Sequence, residues 1–316
     1  MILADASTTH TPKVREVGSI QALWMVLGAF LFATMGVFIK FASAHFNSFE
    51  IVAYRGLIGL LFLAVVMRMR RVPLATQVPA MHFWRSVVGV IALVTWFYSI
   101  SVLPLATSMT LNYMSSIWIA AFLLGAAVLM QQSKAPIKRQ GPLFLTVLVG
   151  FAGVAMMLRP TLADDQIVGG LAGLVSGLFS AFAYLQVAAL SRAGEPESRT
   201  VFYFSLGALI TGLGGMLVVG ASAWHWPSAL WLLPIGLLAV LGQLCMTRAY
   251  ASGATLVVAN LQYFGIAFAG FYSIVVFSDV LPPIGWAGMA LIVASGIAAT
   301  FLRERALPKL PPEEHT

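Results

Sequence analysis

Chemistry in this chain rests on a few polar side chains set inside long apolar runs. Asn112, Tyr113, Ser115 and Ser116 form one group and Asn260, Gln262 and Tyr263 another, with Gln243 and Gln186 as isolated amides. Amides and hydroxyls donate and accept hydrogen bonds without carrying charge, which suits reversible binding of a small polar molecule. The same groups also join helices to one another in lipid, at about 0.6 kcal/mol per bond. Both roles, cavity lining and interhelical bonding, stand for each residue. Trp96, Tyr98 and Trp118 add flat faces that either stack on a planar substrate or serve as packing and interface anchors. The candidate substrate-binding set is therefore Asn112, Tyr113, Ser116, Asn260, Gln262, Tyr263, Gln243, Trp96 and Tyr98.

Four charges complete the candidate chemistry: Lys40, Arg55, Asp279 and Glu50, in structural or gating roles. Arg55 lies about 10 Å inside its apolar run at 1.5 Å per residue, too deep for a simple boundary charge. It either pairs with a carboxylate such as Glu50 or Asp279 or attracts an anionic group of a substrate. Pairing is the favoured reading, because a lone buried cation is expensive. Lys40 is nearer the rim, where a long side chain can snorkel to water.

The missing residue types exclude other chemistries. All five histidines (His10, His45, His82, His225, His315) fall in tails or near the ends of runs, and Cys245 is the single cysteine. No H-E-x-x-H, no G-x-S-x-G and no central acid pair is present, so neither an enzyme, a metal site nor a cofactor is expected. No Asp or Glu lies near the centre of a run, so there is no clear proton relay, and facilitated diffusion or exchange stays open.

The elements that must position these groups follow from composition. Sixty per cent of the residues are hydrophobic and only 9% are charged, with a mean hydropathy of +0.92. A soluble domain carries roughly 25% charged residues, so lipid is the solvent. At about 20 apolar residues per crossing, ten spans are expected, near 21–42, 49–67, 84–102, 105–129, 141–158, 168–190, 200–221, 228–249, 254–278 and 284–302. Ala42-Ser43-Ala44 resembles a cleavage site, but the apolar run before it exceeds a typical signal core of about 7–15 residues, so the first helix is expected to stay. Gly169, Gly173 and Gly177 repeat at helical spacing, which suits close helix contact.

Charge sets the orientation. With the N-terminus inside, the cytoplasmic side receives fifteen cations: Lys13, Arg15, Arg68, Arg70, Arg71, Arg85, Lys134, Lys138, Arg139, Arg192, Arg199, Arg248, Arg303, Arg305 and Lys309. The outer half receives three, Lys40, Arg55 and Arg159. That asymmetry orients the chain, and the net charge of +7 then reflects membrane topology rather than nucleic-acid binding.

The chain is also written twice. Ala106-Thr107 matches Ala254-Thr255 and Asn112 matches Asn260 at an offset of 148, while Phe32-Ala33 lies over Phe179-Ser180 and Tyr54 over Tyr203 within a residue of that offset. Two units of five spans have opposite orientations in the membrane, so the repeat is inverted, the arrangement that lets one central site face either side. The expected units are a cytoplasmic tail over 1–20, repeats over 21–158 and 168–302, and a cytoplasmic tail over 303–316.

These features resemble the EamA-type transporters of the drug/metabolite transporter superfamily across about residues 20–303. The resemblance is carried by Phe49-Glu50 through Tyr54-Arg55, by Met246-Thr247-Arg248-Ala249-Tyr250 leading into Ala254-Thr255-Leu256-Val257-Val258-Ala259, and by Gly285 through Ala294-Ser295-Gly296. The chain departs from the pattern at Gln131-Gln132, where a Gly-Glu pair usually closes the fourth span; the equivalent acid after span 9 is Asp279. The resemblance implies an all-α basket of ten helices around a central cavity lined mainly by spans 1, 3, 4, 6, 8 and 9. Its members move amino acids, nucleotide-derived metabolites, vitamins or metal-chelating opines, more often outward.

The expected function is export of a small metabolite, an amino acid or related amphiphilic compound, by alternating access in the bacterial inner membrane. The runner-up is uptake of a vitamin or nucleoside-like compound, and the rival class is a non-transporting scaffold. Expected partners are the substrate and the bilayer, with no nucleic acid, and the expected assembly is a monomer or weak homodimer. A cytoplasmic reporter fused after Lys309 is expected to be active and a periplasmic one silent; periplasmic activity there would overturn both the ten-span count and the inverted repeat.

Overall fold

Apolar runs too long for soluble helices form α-helices here, since in lipid each backbone N–H and C=O must find its partner within the chain. The computed structural model describes residues 14–129, 141–158, 164–252 and 255–306, and among these all regular structure is helical. The elements are α1 (Val14–Ala42), α2 (Ser48–Met69), α3 (Pro79–Val102), α4 (Leu105–Tyr113), α5 (Ser115–Leu129), α6 (Gly141–Leu158) and α7 (Asp164–Arg192). They continue with α8 (Glu197–Val219), a single turn α9 (Trp226–Ala229), α10 (Leu232–Ser252), α11 (Thr255–Leu261), α12 (Phe264–Val275) and α13 (Pro283–Ala306). Among the described residues, seven stretches are long and apolar enough to cross a membrane: Leu23–Ala42, Ser48–Met69, Pro79–Val102, Gln166–Arg192, Glu197–Val219, Trp226–Ala251 and Val258–Val275. The expected runs 105–129, 141–158 and 284–302 are helical as α4 with α5, α6 and α13. Gln131-Gln132, Lys13, Lys134, Lys138, Arg139, Arg159, Ala254 and Lys309 lie outside the described residues.

Local chemistry sets the helix ends. Asn47 caps α2 by accepting from the Phe49 and Glu50 amides at 3.0 and 3.1 Å, and Glu50 returns a bond to the Asn47 amide at 2.7 Å. Pro79 and Pro283 open α3 and α13, where a missing N–H costs nothing. Helix α1 begins at Val14, so the expected tail over 1–20 is partly helical. Helix α3 begins at Pro79 rather than near residue 84.

Two runs expected to be continuous are broken. Helices α4 and α5 meet at Met114, and α11 and α12 meet at Gln262 and Tyr263. At the first break the Met114 amide is shared between Thr110 O at 3.2 Å and Leu111 O at 3.3 Å; at the second the ladder tightens to three-residue spacing, with Tyr263 N reaching Asn260 O at 3.0 Å. This tightening draws Tyr263 N away from Ala259 O, which instead accepts from Ser116 Oγ at 2.7 Å. The two breaks are therefore tied to each other.

Packing joins the halves throughout. Helix α2 lies along α8, α1 along α10, α3 along α7 and α6 along α13, each pair taking one helix from either side of residue 160. Both ends are also stitched. At one, Glu50 accepts from Ser222 N and Oγ at 2.9 and 2.7 Å, and Lys40 donates to Leu103 O at 2.9 Å while facing Asp279 at 3.9 Å. At the other, Glu195 accepts from Thr76 Oγ1 at 2.7 Å and from His82 Nε2 and Arg199 Nη1, both at 3.1 Å. Burial pushes the Glu195 carboxyl up, but these hydrogen bonds outweigh it and hold the group below the usual carboxylate range.

The glycine stripe is a packing surface. Gly173 lies against Leu111 and Ser99, and a methyl group on Gly177 would fall 2.5 Å from Leu111 O. Gly177→Ala is expected to lower thermal stability in detergent by about 1–3 kcal/mol. Gly125→Ala, whose added carbon meets nothing within 4 Å, is expected to be neutral or stabilising. Equal unfolding temperatures for Gly177→Ala and the wild type would contradict this close approach.

Candidate functional site

Helices of both halves enclose a narrow central cavity of about 40 Å³. It is lined by α1, α2, α3, α4, α7, α8 and α10, while α11 and α12 supply none of its described lining residues. Apolar and aromatic faces come from Phe32, Met35, Leu93, Trp96, Tyr184 and Phe204, and polar groups from Asn112, Tyr113, Ser180, Gln243, Arg55 and Arg85. Phe32 meets Trp96 edge-on at 6.4 Å.

Four of the sequence-predicted residues, Asn112, Tyr113, Gln243 and Trp96, meet at this cavity. Asn112 serves both roles weighed for it. Its Nδ2 donates to Ser176 Oγ at 3.0 Å and Ser180 Oγ at 3.2 Å on α7, so it bonds two helices while lining the space between them. Tyr113 OH and Trp96 Nε1 are buried at the cavity without hydrogen-bond partners among the described residues.

Another group stands behind the lining. Gln262 is fully buried and donates through Nε2 to Tyr250 OH at 2.6 Å. Tyr250 stacks on Tyr184 with ring centroids 5.3 Å apart, and Tyr184 faces the cavity. Gln262 is thus separated from the cavity by two rings, and Ser116 and Tyr263 stand with it at the helix breaks. Asn260 is half-buried, and Tyr98 is 37% exposed; neither belongs to the described lining.

The charges fall out differently from expectation. Arg55 pairs with neither Glu50 nor Asp279 among the described residues, because Glu50 is spent on the α2 cap and Ser222, and Asp279 on Lys40. Instead its guanidinium carbon sits 5.1 Å from the centroid of Phe204. Arg85, read from sequence as a cytoplasmic boundary charge, is buried in the cavity wall with its guanidinium 4.2 Å from the same ring. It reaches there by running one turn along its own helix over Gly89, where a Cβ would overlap its Nη1. Sequence reasoning missed Arg85, Tyr184, Phe204 and the serines of α7. For Arg85 the signal was present: the depth argument applied to Arg55 holds equally once α3 starts at Pro79.

Two guanidinium groups therefore face the cavity beside its uncharged amides and hydroxyls. Among the described residues no group of three or more metal-ligating side chains assembles anywhere.

Residues 19–159 match the EamA-like transporter family. The pseudopaline exporter CntI of Pseudomonas aeruginosa, in strains UCBPP-PA14 and PAO1, is 32% identical over 279 residues, covering 87% of this chain and 94% of the relative. The chain belongs to the EamA-like transporter family. An uncharacterized transporter of Helicobacter pylori strain J99 is 25% identical over 282 residues, covering 86% of this chain and 92% of that protein. A solved crystal structure superposes with a TM-score of 0.65 at 17% identity, covering 91% of this chain and 99% of that one, and shares the fold. The chain is accordingly a polytopic membrane transporter of all-helical fold.

Removing the hydroxyl that joins the two breaks tests their mutual support. Ser116→Ala leaves the Ala259 carbonyl unpaired and is expected to cost about 1–3 kcal/mol of stability. Ser116→Thr, which keeps a hydroxyl, should recover most of it. Wild-type unfolding of the alanine variant would refute the role.

Proposed function

We propose that this protein exports a small amphiphilic metabolite, of the amino-acid type, across the bacterial inner membrane by alternating access at the central cavity. Ten spans in two inverted five-helix units, with both termini in the cytoplasm, provide the mechanism. The observation that carries the reading is the pattern of helix pairings. Exchanging the units turns the pair α1 with α10 into α7 with α3, and returns α2 with α8 and α6 with α13 to themselves. The breaks at Met114 and Gln262 are likewise separated by the repeat offset of 148. Broken helices in corresponding positions of two halves are typical of transporters that work by rocking one unit against the other around a fixed site.

Export rather than uptake is supported by a relative that matches most of this chain at 32% identity and is itself a pseudopaline exporter. A bound metabolite would contact apolar faces and a few fixed polar groups, which suits an amphiphilic cargo.

Comparing culture medium from deletion and overexpressing cells should reveal at least one small metabolite depleted in the first and enriched in the second. The same compound should exchange across proteoliposomes containing the purified protein. Identical media, together with no exchange of the compounds most abundant in them, would contradict the proposal.

A further inference from the structure

Arg55 and Arg85 are each only 3% exposed, yet neither makes a hydrogen bond or ion pair among the described residues. The Nε and Nη1 groups of both are buried without partners. They enter from opposite ends of the bundle, Arg55 from the start of α2 and Arg85 from the start of α3, and converge on the ring of Phe204. The two guanidinium carbons are thus no further apart than their distances to that ring taken together. Three carboxylates stand instead at the two ends of the bundle: Glu50 bonded to Asn47 and Ser222, Asp279 facing Lys40 at 3.9 Å, and Glu195 bonded to Thr76, His82 and Arg199.

Two like charges side by side in a low-dielectric interior destabilise the fold, and attraction to one aromatic face compensates only in part. A purely structural wall would be better served by leucine or methionine. What the pair does supply is a set of N–H donors in planar forks, the geometry that grips carboxylate and phosphate oxygens two at a time. The unpartnered Trp96 Nε1 and Tyr113 OH add two more donors on the same cavity, and Phe32 and Trp96 offer apolar faces beside them.

We propose that Arg55 and Arg85 form an oxyanion site that holds the carboxylate or phosphate groups of a dianionic cargo, with its apolar body against Phe32 and Trp96. This rests on the transport reading above and narrows its substrate class from an amphiphile to an amphiphilic anion. The cation pair is neutralised only when the cargo is bound, so the empty site pays in stability for its affinity.

Purified protein in lipid nanodiscs and chloride-free buffer can be titrated calorimetrically with phenylsuccinate, with its neutral diamide and with phenyl phosphate. At least one dianion is expected to bind roughly tenfold or more tightly than the diamide, and the comparison between phenylsuccinate and phenyl phosphate tells which oxyanion is preferred. Arg55→Gln and Arg85→Gln should each weaken that binding roughly tenfold or more while raising the unfolding temperature, since each removes an uncompensated buried charge. A merely structural arginine would lower the unfolding temperature on substitution instead. The inference is overturned if the diamide binds as tightly as both dianions, if no dianion binds at up to about 10 mM, or if both glutamine variants bind like the wild type. The wild-type comparison decides the matter even where a variant does not fold. Binding needs no transport: a protein that exchanges a neutral metabolite but ignores these anions loses only this inference, whereas one that binds them and moves nothing loses the transport reading.

Discussion

Hydrocarbon offers no hydrogen bonds, so a helix bundle in lipid must satisfy its polar groups from within, and the places where it does so differently define this molecule. The Ala259 carbonyl released by the break in α11–α12 is taken up by Ser116 at the break in α4–α5. The amide of Asn112 is satisfied by two serines of α7. Carboxylates are held at the ends, where Glu50 and Glu195 each gather donors from the opposite half. The bonds that complete one half's backbone and loops come from the other half, so the two are stitched together at the centre and at both ends. Other buried polar atoms also lack partners among the described residues, but the two arginines at the cavity are the charged groups that bring several unmet donors to one place.

The helix crossing between α2 and α8 connects this exception to the repeat. Tyr54 and Tyr203 occupy matching positions, and the next residues along are Arg55 and Phe204, which face each other at 5.1 Å. On the proposed mechanism α2 and α8 exchange places under the symmetry, so this contact lies at the pivot while the Glu50 and Glu195 clusters lie at the two ends. A pivot contact of ring and cation tolerates small rotations better than a directional ion pair does, because the face of the ring attracts a cation over a range of positions.

Much of the helical framework was legible in the amino-acid sequence because run length and apolar composition are local properties. The breaks were not. Met114 is a good helix former, and nothing near it marks an interruption; the partner that joins this break to the other, the Ala259 carbonyl, lies more than 140 residues away. Asn112 was legible as a polar group facing a helix neighbour or a cavity, and it does both. Arg55 was legible in depth but not in partner, since sequence does not reveal that Glu50 is consumed by its own helix cap and Asp279 by Lys40. Arg85 was lost to a boundary placed five residues late, which turned a cavity group into a surface charge. Tyr98 illustrates the converse: an aromatic on an apolar helix whose exposed face suits lipid as well as substrate.

Access to the cavity from both faces is the central claim, and the single cysteine makes it measurable. With Cys245 replaced by serine, Ala92→Cys on α3 and Ala183→Cys on α7 place a thiol on the cavity wall. In sealed, uniformly oriented vesicles, a membrane-impermeant maleimide applied from either side alone should label both positions. Labelling from one face only, with the other face silent at both positions over the same time, would contradict alternating access through this cavity.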